Sequence, residues 1–232
     1  MGTPASRAAR EALLLGLGAA VLAVVLSYIP FLNALTYPIS LLVTIVHEGG
    51  HALATVLTGG HVDSIAINAD GSGVTLSRGG WGIFIAPAGY LAAAAFGVLL
   101  LYLLRWRAAG RVALYASAAV VLLLTILFIR NPFGLVVGLV WTAALVLAAY
   151  FLPPAAAIFV VAFLGVEALL NAFLDFQTLI GLSGLLPSGH NDAVLMSRYI
   201  PLPPIVWALL WAALAVLLVF WLLRGLWRDL RQ

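Results

Sequence analysis

The stretch "TIVHEGGHALATVL" sets two imidazoles and a carboxylate, His47, Glu48 and His51, into an otherwise apolar run. In a helix, residues four apart share a face, so His47 and His51 offer two ring nitrogens to one tetrahedral ion. Glu48 lies on the adjoining face. This is the HExxH arrangement, in which the histidines bind zinc and the glutamate handles the proton of a water molecule. A lone buried histidine reads as an internal hydrogen-bonded group. Three such residues in an apolar run cost several kcal/mol unless they are partnered, so the full trio reads as a metal site. Gly49 and Gly50 each give up about 1 kcal/mol of helix propensity, and they are expected to leave room for a substrate backbone.

A catalytic zinc takes three protein ligands and keeps a fourth position open. The chain has no cysteine, so the third ligand must offer nitrogen or oxygen. Of the eight acidic residues, Glu48 belongs to the trio, Glu11 and Asp229 stand at the ends, and Asp63 and Asp70 fall in a polar insert. Glu167, Asp175 and Asp192 remain. Glu167, Asn171 and Asp175 are spaced i, i+4, i+8, which lines them along one helical face toward the bundle interior or a water-filled cavity. That stripe reads as a hydrogen-bonded seam, as support behind the metal, or as the source of the third ligand through Asp175. Asp192 lies in "GLLPSGHNDAVLMSR", five residues after Pro187.

Together "HEGGH" and this second segment resemble the site-2 protease family of intramembrane zinc metalloproteases, whose second motif reads NxxPxxxxDG. Pro187 and Asp192 fall on that spacing, with Gly184 in place of the asparagine and Ala193 in place of the glycine. The "AGYL" of Ala88 to Leu91 and the tail "NDAVLMSRYIPLPPIVW" resemble a compact bacterial branch. The resemblance runs from about Leu41 to Trp207. It implies that His47, His51 and Asp192 hold one Zn2+ per chain and that Glu48 is the catalytic acid and base. It also implies a membrane-embedded or single-pass membrane protein as substrate, such as a membrane-bound regulator, and a site facing the cytoplasmic side.

These residues need a scaffold, and composition says which. Of 232 residues, 65% are hydrophobic and 8% charged, with a mean hydropathy of +1.17. Such a chain is an all-α polytopic protein of the lipid bilayer, with the bacterial cytoplasmic membrane as its expected location. Spanning a hydrocarbon core of about 30 Å takes about 20 apolar residues. Seven runs qualify, near 12–29, 38–59, 82–104, 112–129, 133–152, 155–176 and 205–223, so six to seven transmembrane helices are expected. One domain, 1–232, is expected, with a loop over 177–204 carrying the second motif. Four crossings separate the segments 60–80 and 177–203, which places both on one side of the membrane and lets the site close. A net charge of +3, with the arginines scattered at helix ends, excludes a nucleic-acid partner. It sets neither membrane orientation nor oligomeric state.

The polar insert "GGHVDSIAINADGSGVTLSRGG" alternates Ile65 and Ile67, then Val74 and Leu76, about an Asp-Gly centre. It reads as a β-hairpin over 60–80. A helical substrate must be unwound before hydrolysis, and an exposed strand edge replaces its lost hydrogen bonds by strand addition. Two other classes stay open: a metal-ion transporter, and a non-catalytic membrane scaffold with a bound zinc.

Overall fold

The computed structural model describes residues 4–29, 33–104, 106, 109–185 and 191–230; Pro187 lies outside them. Its elements are α1 (Pro4–Tyr28), α2 (Asn33–Leu57), β1 (His61–Ile67), β2 (Gly73–Arg78), α3 (Gly82–Leu103), α4 (Ala109–Leu127), α5 (Pro132–Phe151), α6 (Pro154–Leu185), α7 (Asp192–Tyr199) and α8 (Pro204–Leu230). Six helices, α2 to α6 and α8, are long and apolar enough to cross a membrane, while α1 contributes a shorter apolar section, Leu14–Leu26. The expected loop over 177–204 is helical in two parts. Apolar sequence carries α6 on to Leu185, and Asn191 caps α7 by accepting a hydrogen bond from the Val194 N–H at 2.9 Å.

Helices in lipid gain nothing from excluding water, so close backbone approach holds them. Small residues provide it. A Cβ on Gly50 would stand 2.5 Å from the Ala88 carbonyl oxygen of α3, and one on Gly49 would stand 2.5 Å from Leu124 Cδ1 of α4. The two glycines between the histidines are therefore filled by neighbouring helices and leave no room for a substrate backbone there. The same device joins α3 to α6, where a Cβ on Gly97 would meet the Gly165 carbonyl oxygen at 2.8 Å.

The hairpin is not a surface loop. It folds back along α2 from base to tip, since the Trp81 N–H donates to Thr58 Oγ1 (3.0 Å), Thr44 Oγ1 donates to the Gly71 carbonyl (2.8 Å) and the Tyr37 hydroxyl donates to the Ala69 carbonyl (2.6 Å). At 1.5 Å per residue, Thr58 and Tyr37 are about 30 Å apart along the helix axis. The tip closes because Gly71 adopts φ +89°, which a side chain resists, while Asp70 Oδ1 accepts from the Ser72 N–H at 2.9 Å.

The β1–β2 ladder is antiparallel, with an irregularity between Val62 and Ser64. An extra residue there turns the strand, so Val62, Ile65 and Ile67 are all buried. On β2 the alternation runs the other way: Gly73, Thr75 and Ser77 face inward, and Val74 and Leu76 are 44% and 55% exposed. The outer edge of β1 is closed by the α4–α5 connection. The Ile65 N–H donates to the Phe128 carbonyl (2.7 Å), the Arg130 N–H donates to the Ile65 carbonyl (3.0 Å), and the Asn131 amide bonds both backbone groups of Ile67. Among the described residues, the outer edge of β2 makes no backbone hydrogen bond to another element.

These contacts fix which ends share a side. The hairpin meets the α4–α5 connection, while Arg111 at the start of α4 donates to the Leu152 carbonyl at 3.1 Å, at the far end. In this cysteine-free chain, single cysteines at His61 and Arg130 are expected to react with a membrane-impermeant maleimide from one face, and a cysteine at Pro153 from the other. Labelling of all three from one face of sealed vesicles would break the alternation of α4 and α5.

Candidate active site

Three donors meet where α2 passes the start of α7. His47 Nε2 and His51 Nε2 are 3.1 Å apart, and Asp192 Oδ2 lies 3.4 Å from the first and 3.2 Å from the second. Nitrogen and oxygen ligands bound at about 2.0–2.1 Å to a tetrahedral ion stand about 3.3 Å from one another. The triangle therefore has the dimensions of three corners of a zinc site, and it is the one such group of His and acidic residues among the described residues.

The surrounding groups prepare those donors. His51 Nδ1 is 2.7 Å from the Ile85 carbonyl oxygen. A carbonyl only accepts, so Nδ1 carries the proton and Nε2 keeps its lone pair for a metal. The ring of His47 packs edge-on against Tyr90 of α3 (centroids 4.7 Å), and Tyr90 stacks on Trp211 of α8 (6.0 Å). Asp192 sits in the first turn of α7, where the helix dipole favours a carboxylate.

Gly89 clears the space in front of the triangle. A Cβ there would fall on Nε2 of both histidines. Gly89→Ala is thus expected to expel most of the metal, whereas Gly16→Ala, with nothing within 4 Å of its added methyl, is expected to change nothing. Metal content of the two purified variants is the check, and full occupancy in Gly89→Ala would show that the donors meet elsewhere.

Glu48 opens onto the same cavity of about 500 Å³, whose wall includes His47, His51, Asp175, Asp192 and Arg198. The inward residues of β2, Gly73, Thr75 and Ser77, form another part of it. Thr75 Oγ1 donates to Glu48 Oε2 at 2.6 Å.

The three residues of the α6 stripe separate. Asp175 lines the cavity but is not among the three clustered donors. Asn171 donates to the Glu167 carbonyl at 2.8 Å, and Glu167 is buried with its Oε1 unbonded among the described residues. At the hairpin base, Arg78 donates to both carboxylate oxygens of Asp63 at 2.6 to 3.1 Å and holds that carboxyl below the usual range. The largely exposed His61 lies 3.8 Å from Asp63, away from the donor triangle.

A family model described as Peptidase M50B-like matches residues 6–222. The chain belongs to the Peptidase M50B-like family, within the site-2 proteases. It is a membrane metallopeptidase by that membership, and the family is zinc-dependent. Comparison with curated proteins and with solved structures returned no match. In this M50B-like peptidase, helical spacing and the motif resemblance point to His47, Glu48, His51 and Asp192. They do not point to Thr75, whose bond to Glu48 is signalled in the sequence only by a polar residue on one face of a hairpin. Within "AGYL", Gly89 faces the histidines and Tyr90 backs His47.

Proposed function

We propose that the chain hydrolyses a peptide bond of a membrane-embedded or single-pass membrane protein, with His47, His51 and Asp192 as the ligands of one zinc ion and Glu48 as the acid and base. What zinc supplies when held by such a donor set is Lewis acidity, which acidifies water and polarises a carbonyl. Glu48 accepts the proton of the attacking water and passes it to the leaving amine. His51, tied to Ile85, holds its ring orientation through the reaction. An extended segment that pairs with the outer edge of β2, open among the described residues, would lie beside Glu48 and regain hydrogen bonds that an unwound helix has lost.

The observation that carries this reading is the donor triangle in one cavity with Glu48, beside a strand edge that is unpaired among the described residues. A transporter or scaffold needs neither the glutamate nor the edge. The bacterial cytoplasmic membrane, and a membrane-bound regulator as substrate, follow from the family resemblance. Co-expression with candidate single-pass proteins tests the reading. A shortened product that disappears in the His47→Ala variant is expected. Metal flux in reconstituted vesicles without any proteolysis would turn the assignment to transport.

A further inference from the structure

A general base must be aimed as well as present, and Glu48 has a long side chain with several rotatable bonds. Two residues of β2 confine it. Thr75 Oγ1 lies 2.6 Å from Oε2 and 3.1 Å from the Glu48 carbonyl oxygen. On the other side the backbone of Gly73 stands so near that a Cβ there would be 2.6 Å from both Cγ and Oε1. Thr44 closes the space behind, its methyl 2.8 Å from the same point. Gly73 and Thr75 are two apart on a strand and so share its inward face. The carboxylate is held between a hydroxyl and a bare stretch of backbone, both supplied from 25 to 27 residues away in sequence.

We infer that Thr75 is a positioning residue: its hydroxyl sets the Glu48 carboxylate in the orientation needed for proton transfer, so the strand that receives the substrate also aims the base. The inference rests on the hydrolase reading above. No residue of the HExxH helix is bonded to the Glu48 carboxylate among the described residues, whereas the hairpin is. A hydrogen bond to a charged group is worth enough that its loss lowers a rate by about 10- to 100-fold when the group acts in the transition state. Because Thr75 does not reach the triangle of metal ligands, its removal leaves zinc in place.

The test compares Thr75→Val, Thr75→Ala and Thr75→Ser in the purified, zinc-loaded full chain, with fluorophore-labelled casein in dodecyl maltoside micelles as the probe. Valine keeps the shape and strand preference of threonine without the hydroxyl; serine keeps the hydroxyl. The expected result is a kcat about 10- to 100-fold lower in the valine and alanine variants, with KM changed by less than about twofold, zinc retained, and kcat recovered in the serine variant. An unchanged kcat overturns the inference. A raised kcat does so too, since it would show that Thr75 holds Glu48 away from the water. A rise in KM alone would make Thr75 a substrate contact, and loss of zinc in both hydroxyl-free variants would make it a structural residue. A parent chain that cleaves neither casein nor any co-expressed single-pass protein would remove the hydrolase reading, whereas cleavage by the parent with an unaffected valine variant would remove only this one.

Discussion

Glu48→Gln is expected to keep its zinc and lose its cleavage. The substitution preserves size and shape but removes the base, and none of the three clustered donor atoms is touched. Proton transfer by a positioned side chain typically contributes about 10² to 10⁴-fold, so the turnover of any substrate should fall by that order. Elemental analysis and a cleavage assay on the same preparation separate the two effects. The Thr75 hydroxyl remains able to bond the amide oxygen, so the glutamine is expected to sit where the glutamate sat. Cleavage at the parent rate with zinc retained would take the base away from Glu48 and leave Asp175 as the carboxylate in the cavity to examine.

Asp192→Ala is expected to have the opposite signature: zinc goes, and activity with it. The loss follows from geometry, because Asp192 Oδ2 completes a triangle whose sides are 3.1, 3.4 and 3.2 Å, and two histidines alone leave half of a tetrahedral coordination sphere to water. Removing even the outer partners of metal ligands weakens binding by about 10- to 100-fold, so removal of a ligand should exceed about 100-fold. Asp175→Ala should leave affinity near that of the parent, since Asp175 shares the cavity but not the cluster. Competition against a chelator of known affinity measures both variants. If Asp175→Ala proved the weaker binder, the third ligand would belong to α6.

The parts of the site legible in the sequence are those set by local spacing. His47 and His51 share a face because an α-helix repeats every 3.6 residues, and no tertiary information is needed to see it. Asp192 is legible only through a resemblance of motifs, with which an even number of crossings agrees. The hairpin itself was readable from its Asp-Gly centre, but its placement was not. Alternation says that Gly73, Thr75 and Ser77 lie on one face without saying which face turns inward, and the irregularity between Val62 and Ser64 shifts the pattern of β1 against that of β2. Gly49 and Gly50 show the same limit. A missing side chain signals close approach, yet the sequence does not name what approaches, and here it is α3 and α4. The extension of α6 to Leu185 was hidden because hydropathy marks where a helix leaves the membrane and not where it ends.

A hairpin laid along α2 as far as Tyr37 has a consequence for the lipid around it. Hydrocarbon cannot satisfy a strand edge, so acyl chains do not seal against the outer side of β2. The bilayer beside this strand is expected to thin, with headgroups and water following the polar tip of Asn68, Asp70 and Ser72 inward. A transmembrane helix that drifts into such a dent is longer than the local slab. Part of its apolar length is already mismatched there, and opening its backbone hydrogen bonds costs less than in the open membrane. For a transmembrane substrate of the proposed hydrolysis, unwinding is expected to begin in the lipid, before the first contact with the protein.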